Sequence, residues 1–334
     1  MFIIENYTTA IVFCVITMLC WGSWANTQKL VTGKWRFELF YWDYVLGILL
    51  FSLLAAFTLG STGESGRAFM NDIRQASNEN IRSALFGGIV FNLANILLTA
   101  AIAITGMAVA FPVGIGIALV LGVLINYLSV QKGDPATLFG GVLFVTIAII
   151  LNAVAYKRSR GKTQKAGTRG ILLSVLAGVL MSCFYRFIAA SMDLQNFSHP
   201  EPLKMTPYSA SVVFATGILI SNLLFNTILM RKPIEGPPVN YRDYFSGRFS
   251  LHGVGILGGA IWGTGNLFNL VAAGKAGPAV SYGLGQGATL VAAIWGVLVW
   301  KEFKGSKQKV TNLLIGMFAC FIIGLALIIL SGST

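Results

Sequence analysis

The chain has 334 residues, 55% of them hydrophobic and 11% charged, with a formal net charge of +12. Charged residues make up about 25% of an ordinary soluble domain, and the mean hydropathy here is +0.74. A soluble core could not hide that much apolar surface, so the composition excludes a soluble globular protein and points to one embedded in a bilayer.

Apolar runs of roughly 20 residues, the length that carries a helix across a membrane, recur ten times. They cover 8–30, 39–59, 81–103, 107–129, 135–156, 170–193, 207–229, 251–274, 279–300 and 309–330. Long continuous runs, rather than short alternating strands, set aside a membrane barrel. The connections are short and leave no room for a separate soluble catalytic domain. The expectation is an all-α integral membrane protein of ten transmembrane helices.

Span 1 lacks a basic leader and a small-residue cleavage site, so it reads as a retained helix. Its second half holds Trp21, Ser23, Trp24, Asn26, Thr27, Gln28 and Lys29. The two indoles suit either interfacial anchors or stacking surfaces for a ligand. Span 2 begins in "ELFYWDYVLGILLF" (38–51), which sets Asp43 among apolar neighbours. Span 3 carries Asn92, Asn95 and Thr99, and span 4 carries Pro112. Span 6 contains Ser182, Tyr185 and Arg186. Span 8 has Trp262, Thr264, Asn266 and Asn269, and span 9 has Tyr282, Gln286 and Thr289. Asn266 and Asn269 are three apart and Tyr282 and Gln286 four apart, so each pair shares one helix face. Glu302 closes span 9 as a helix-end residue between Lys301 and Lys304.

The positive charge is unevenly placed. With the N-terminus outside, the inward loops carry 17 Lys and Arg and the outward loops 6. Basic residues stay on the cytoplasmic side, so both termini are expected to be extracytoplasmic. The densest basic stretch, "YKRSRGKTQKAGTR" (156–169), joins spans 5 and 6. It reads as a topology signal and anionic-lipid contact, not as a nucleic-acid site.

Residues 85–122 and 256–293 align without a gap at an offset of 171, with 11 of 38 positions identical. The matches include Gly87/Gly258, Gly88/Gly259, Asn95/Asn266 and Gly106/Gly277. Spans 3–4 thus map onto spans 8–9, and the repeat unit is five spans. An odd unit must cross in the opposite sense the second time, which makes an inverted repeat of the kind alternating-access carriers use. The halves are 1–156 and 170–334, joined by the basic linker 157–169. Gly255, Gly259 and Gly263, and Gly283 and Gly287, recur at four-residue spacing, which lets helices approach closely. Pro112 and Gly283 sit at equivalent positions, and each weakens its helix.

Polar side chains inside spans are costly and face a cavity or a neighbouring helix. Trp21, Trp24, Asn26, Asn92, Asn95, Tyr185, Trp262, Asn266, Asn269, Tyr282 and Gln286 are the candidate substrate contacts. Amides, hydroxyls and rings without a charge cluster suit a neutral, hydrogen-bonding ligand that can stack. Interhelical hydrogen bonding is the alternative for each amide. Arg186 is either a gate or substrate contact or one half of a structural pair. Asp43 can carry a proton through the transport cycle, because a carboxylate cut off from water is readily neutralised. Its rival role is a tie to Lys29 or Arg36 at the cytoplasmic ends of spans 1 and 2.

Cys14, Cys20, Cys183 and Cys320 lie in spans without metal-site spacing and read as packing residues. His199 and His252 are far apart and near loops. No metal site, phosphate cradle or acid/base pair emerges, so neither an enzyme nor a bound cofactor is expected.

"WGSWANTQKL", "FYWDYVLGILLFSLLAAFTLGSTG" and "GIGIALVLGVLINYL" resemble plant ureide permeases. "GGAIWGTGNLFNLVAAGKAGPAVSYGLGQGATLVAAIWGVLVWKE" resembles both those permeases and bacterial glucose/ribose porters. All belong to the drug/metabolite transporter superfamily, with rhamnose–proton symporters as more distant cousins. The resemblance implies a ten-helix inverted-repeat carrier, often proton-coupled, in a branch whose substrates include allantoin, other ureides and uracil-type bases. Asp43 falls in the branch's Tyr-x-Asp-Tyr pattern. Two features depart from the family: the long nucleotide-binding-like segment between spans 5 and 6 is reduced here to 157–169, and many superfamily members place their termini in the cytoplasm.

The expectation is a multi-pass inner-membrane permease, monomeric or homodimeric, importing a ureide, nucleobase or nucleoside by proton coupling and without a bound cofactor. A monosaccharide transporter is the alternative, with a multidrug exporter behind it.

Overall fold

The computed structural model describes residues 1–105, 107–160, 168–234, 236–301, 303–305 and 307–333. The side chains of 102–105, 107–109, 111, 112 and 160 are outside that description, as are Gly106, Glu302 and most of the basic linker. The expectations made for Pro112, for the Gly106/Gly277 match and for Glu302 therefore fall outside the described residues.

The chain is helical, with one isolated bridge, Met192 to Met205, among the described residues. The helices are α1 (Tyr7–Ser23), α2 (Ala25–Val31), α3 (Phe37–Phe57), α4 (Phe69–Gln75), α5 (Asn78–Thr105), α6 (Met107–Ser129) and α7 (Pro135–Arg160). The second half supplies α8 (Thr168–Ala190), α9 (Pro207–Arg231), α10 (Tyr241–Phe245), α11 (Phe249–Ala276), α12 (Pro278–Gln286), α13 (Ala288–Ile294) and α14 (Gln308–Ser331). A π-helical turn, Trp295–Val299, follows α13.

Nine helical stretches among the described residues are long and apolar enough to cross a membrane. The remaining expected span, 107–129, is helix α6, whose described apolar part is Val113–Ser129. Span 1 is α1 and α2 joined through Trp24. Span 9 divides into α12, α13 and the π turn, and the break falls at Gly287, one turn beyond the Gly283 that the repeat singled out. The Gly287 N–H reaches back to Leu284. A side chain there would press on the ends of Met18 and Leu325, which pack against the break from α1 and α14.

Helix packing follows a paired pattern. The α5 helix packs on α8 and α9, and α11 packs on α1 and α3. Between them α3 meets α9, α6 meets α12, and α7 meets α14. The close crossings are made by glycine. A Cβ on Gly88 would strike the Phe214 carbonyl and one on Gly217 the Leu85 carbonyl. In the second crossing, Gly259 opposes the Tyr44 carbonyl and Gly47 the Ile256 carbonyl. Helices without a hydrophobic drive between them gain contact by this close approach.

At the end of the bundle that holds both termini, segment 58–77 is clamped to segment 191–206. Asp72 is wholly buried, pairs with Arg67 at 2.9 Å, and accepts the Thr206 N–H at 2.8 Å, capping the start of α9. A carboxylate there meets the positive end of the helix dipole. Arg67 also donates to the carbonyls of Pro200, Glu201 and Lys204.

Candidate functional site

Polar groups gather at mid-height because α11 is long and carries Trp262, Asn266 and Asn269 at its middle. The Trp21 indole of α1 stacks on Trp262 with ring centroids 5.8 Å apart. Trp262 packs on Phe91 at 4.4 Å and lies parallel to Phe214 at 6.3 Å. Trp24, half-buried, lies against Tyr44 at 4.7 Å.

Several candidates spend their hydrogen bonds on neighbouring helices. The Tyr41 hydroxyl donates to Asn92 Oδ1 at 2.9 Å and accepts from Asn95 Nδ2 at 3.0 Å. Asn92 Nδ2 continues to Ser221 at 3.0 Å, so α3, α5 and α9 are stitched together. The Tyr185 hydroxyl pairs with Ser281 at 3.0 Å. The Tyr282 hydroxyl donates to the carbonyls of Met181 and Ala118. Asn92, Asn95, Tyr185 and Tyr282 thus act as interhelical glue in this conformation.

Other groups are left over. Trp21 Nε1, Asn266 Oδ1, Asn269 Oδ1 and Tyr44 Oη are buried and have no partner among the described residues. Asn269 uses only its amide nitrogen, donating to the Ser281 carbonyl at 2.7 Å. Trp21 and Asn269 are neighbours. A Cβ on Gly285 would lie 2.6 Å from the Trp21 ring and 3.2 Å from Asn269 Nδ2, and one on Gly265 would lie 3.0 Å from Trp21 Nε1. Gly265 and Gly285 therefore let their helices close directly on the Trp21 indole. Gln286, also buried, follows Gly285 directly. An unsatisfied buried polar group costs about 1–3 kcal/mol, which makes the unpaired atoms of Trp21, Asn266 and Asn269 the candidate ligand contacts.

Three candidates lie elsewhere. Asn26 is tied at the far end, accepting from Trp300 Nε1 at 2.7 Å and donating to the Ser23 carbonyl at 2.9 Å. Lys29 sits 4.2 Å over the Trp300 ring. Arg186 is exposed on α8.

The tie expected between Asp43 and Lys29 or Arg36 is corrected by the geometry. Arg36 forms a two-pronged pair with Glu38, at 3.1 and 2.7 Å, and donates to the Pro237 carbonyl. Asp43, only 1% exposed, is met by His252 Nδ1 at 2.8 Å and the Tyr244 hydroxyl at 2.6 Å, both on Oδ1. Trp35 Nε1 approaches Oδ2 at 3.3 Å. His252 went unassigned in the sequence because 209 positions separate it from Asp43. Its one local signal is its place three residues before Gly255, the glycine whose missing side chain makes room for the Asp43 Cβ.

A bundle of membrane-length apolar helices around a buried layer of neutral amides and stacked indoles defines a multi-pass membrane transporter. The chain belongs to the ureide permease family, whose model matches residues 40–169 and 155–331. The two matches overlap over 155–169, the basic linker. Ureide permease 1 of Arabidopsis thaliana is 26% identical over 99% of both chains. Ureide permease 2 of the same plant is 25% identical over 99% of both. A Streptococcus pyogenes serotype M6 protein described as a sugar uptake protein is 25% identical over 84% of this chain and 97% of its own length. One solved crystal structure shares the fold, with a TM-score of 0.61 at 15% identity, over 97% of this chain and 96% of that one. The relatives are transporters, not enzymes, and so is this chain.

Proposed function

We propose that the protein imports a small, neutral, flat metabolite of the ureide or nucleobase class across the inner membrane, by alternating access of two inverted five-helix halves, 1–156 and 170–334. The observation that carries the substrate class is the set of unpaired atoms beside the Trp21–Trp262 stack. One donor, Trp21 Nε1, and two acceptors, Asn266 Oδ1 and Asn269 Oδ1, await partners. A cyclic ureide or pyrimidine offers carbonyl acceptors, N–H donors and a planar face in one molecule. The names of the plant relatives agree with that chemistry.

The inverted arrangement is supported by helix bounds and by packing. Helices α5 and α11 are each 28 residues long, and their starts are offset by the same 171 residues as the sequence repeat. Exchanging the halves exchanges the α5–α9 glycine crossing with the α11–α3 one. The basic linker and loops support an orientation with both termini outside.

A monosaccharide is the second reading, favoured by the streptococcal relative. Thermal-shift screening of the purified protein against allantoin, uracil, nucleosides, ribose and glucose separates the two, followed by counterflow in proteoliposomes. Stabilisation and exchange by allantoin or uracil, lost in Asn269→Ala, are the expected results. Exchange of sugars alone would replace the ureide reading with the second one.

A further inference from the structure

Asp43 is the meeting point of three chain segments from both halves. Trp35 belongs to the turn before α3, Tyr244 to the short helix α10, and His252 to the first turn of α11. The rings pack on one another as well: His252 is edge-on to Trp35 at 5.2 Å and to Tyr244 at 4.8 Å. The carboxylate is thus the one polar hub of an aromatic plug at the end of the bundle opposite the termini.

The donors around Asp43 suit an ionised carboxylate. An indole N–H can only donate. Tyr244 lies outside the spans, and burial, followed by the Asp43 hydrogen bond, raises its phenol above the ordinary value of 10.0, so it keeps its proton. In the tautomer that carries the His252 proton on Nδ1, three donors converge on one residue. An ionised carboxylate has lone pairs for all three. A carboxylic acid spends one oxygen on its own proton, and its remaining hydrogen bonds lose their charge assistance.

We propose that Asp43 and His252 form a proton-operated latch that shuts this end of the transporter while Asp43 is ionised and releases it when Asp43 takes up a proton. The proton adds to a carboxylate oxygen, and the Nδ1–H of His252 loses its charged acceptor. The first turn of α11 and the α10 segment then part from α3. The proton leaves Asp43 to solvent on the opened side, and the latch reforms. This deepens the permease reading and rests on it for the meaning of opening.

Other charged groups near the latch are engaged elsewhere or exposed. Arg36 and Glu38 pair with each other beside it, and Lys29 on α2 stands over Trp300. On α10, Asp243 is used in the capping box with Asn240, and Arg242 is exposed. Arg231, the last residue of α9, and Arg248, before α11, are exposed. The same end is closed by further ties from the second half, Trp295 Nε1 to Ser23 Oγ at 2.9 Å and Trp300 Nε1 to Asn26.

Thr27 reports on the latch because it is buried behind it, against Gly258 of α11. A single cysteine at Thr27→Cys, in a background lacking the four native cysteines, is labelled with a maleimide in detergent from about pH 8 to about pH 5.5, with rates corrected for thiol ionisation. We expect labelling to quicken about tenfold on acidification. Asp43→Asn should label fast throughout, and His252→Ala should move the midpoint up by about one pH unit, since one donor to the anion is gone. Hydrogen exchange at 37–45 and 249–259 in the unsubstituted chain, corrected for intrinsic rates, should show the same midpoint and needs no variant to fold. Flat labelling and exchange across this range, or an unmoved midpoint in His252→Ala, would overturn the latch. Counterflow of radiolabelled allantoin and uracil is run beside these assays. A working counterflow with a flat latch removes this proposal alone, whereas a responsive latch without counterflow of either probe removes only the substrate reading.

Discussion

Adding one methyl group to Gly259 tests the packing on which the site depends. A Cβ there collides with the Tyr44 carbonyl and comes within 2.8 Å of the Ile48 backbone nitrogen. Both are backbone atoms of α3 and cannot swing aside. Overpacking of this kind costs about 1–3 kcal/mol, while replacing a helical glycine by alanine returns about 0.5–1 kcal/mol. The balance for Gly259→Ala is a net loss of roughly 1.5 kcal/mol, on the order of tenfold in the folded population. Gly253 lies on the same helix with nothing within 4 Å of its missing Cβ, so Gly253→Ala should keep the helical gain and melt at or slightly above the parent. Gly88→Ala meets the Phe214 carbonyl in the equivalent crossing and should lose about as much as Gly259→Ala. Thermal unfolding of the purified variants in one detergent, read by fluorescence-detected gel filtration, ranks them. If Gly259→Ala melts as high as Gly253→Ala, the backbone approach of α11 to α3 is not what holds the halves together. If Gly88→Ala is harmless while Gly259→Ala is not, the two crossings are not equivalent.

Three further outcomes follow from the same contacts. Trp21→Phe removes an N–H that has no protein partner but also trims an indole packed on Trp262, so the melting temperature should fall with the void left behind while affinity for the proposed ureide or base falls roughly 2–12-fold, the worth of one hydrogen bond at ~0.5–1.5 kcal/mol; thermal unfolding reads the first and binding calorimetry the second. Asp72→Ala strands Arg67 in a mostly buried clamp and uncaps α9, and breaking a buried pair from one side costs about 3–5 kcal/mol; thermal unfolding and proteolysis of segment 58–77 should both show it. Burial raises the Tyr244 phenol above 10.0, with the Asp43 hydrogen bond adding to it. The stability this group contributes is therefore complete below about pH 10 and is lost as pH rises through the folded-state value. Tyr244→Phe should flatten that alkaline limb in a pH series of thermal unfolding, and an unchanged limb would separate Tyr244 from Asp43.

Much of this architecture could be read along the chain. Runs of apolar residues set the spans, because a bilayer leaves a helix no other way to satisfy its backbone. The four-residue spacing of Gly255, Gly259 and Gly263 announced a close helix contact, and the 171-residue offset matched the bounds of α5 and α11. The position of the break in span 9 was harder to read. Helix weakening at Gly283 is a local property, whereas the break at Gly287 is packed by Met18 of α1 and Leu325 of α14. Asn26 carried the same polar signature as the mid-bundle amides, yet it faces Trp300, because residue type does not encode depth along a helix.

Sequence by itself determined that this chain spans a membrane, that it carries a sequence repeat at an offset of 171, and that one carboxylate, Asp43, lies inside an apolar run. Only the tertiary structure decided what partners that carboxylate. Lys29 and Arg36 were the near cations in the chain, but Trp300 engages the first and Glu38 the second, and His252 arrives from 209 positions away on α11. It separated Asn92 and Asn95, satisfied through Tyr41, from Asn266 and Asn269, which keep an oxygen unpaired. The reason is common to both cases. Hydropathy and spacing are summed along one helix, whereas hydrogen bonding is settled between helices, by whichever donors and acceptors packing brings within about 3 Å of one another.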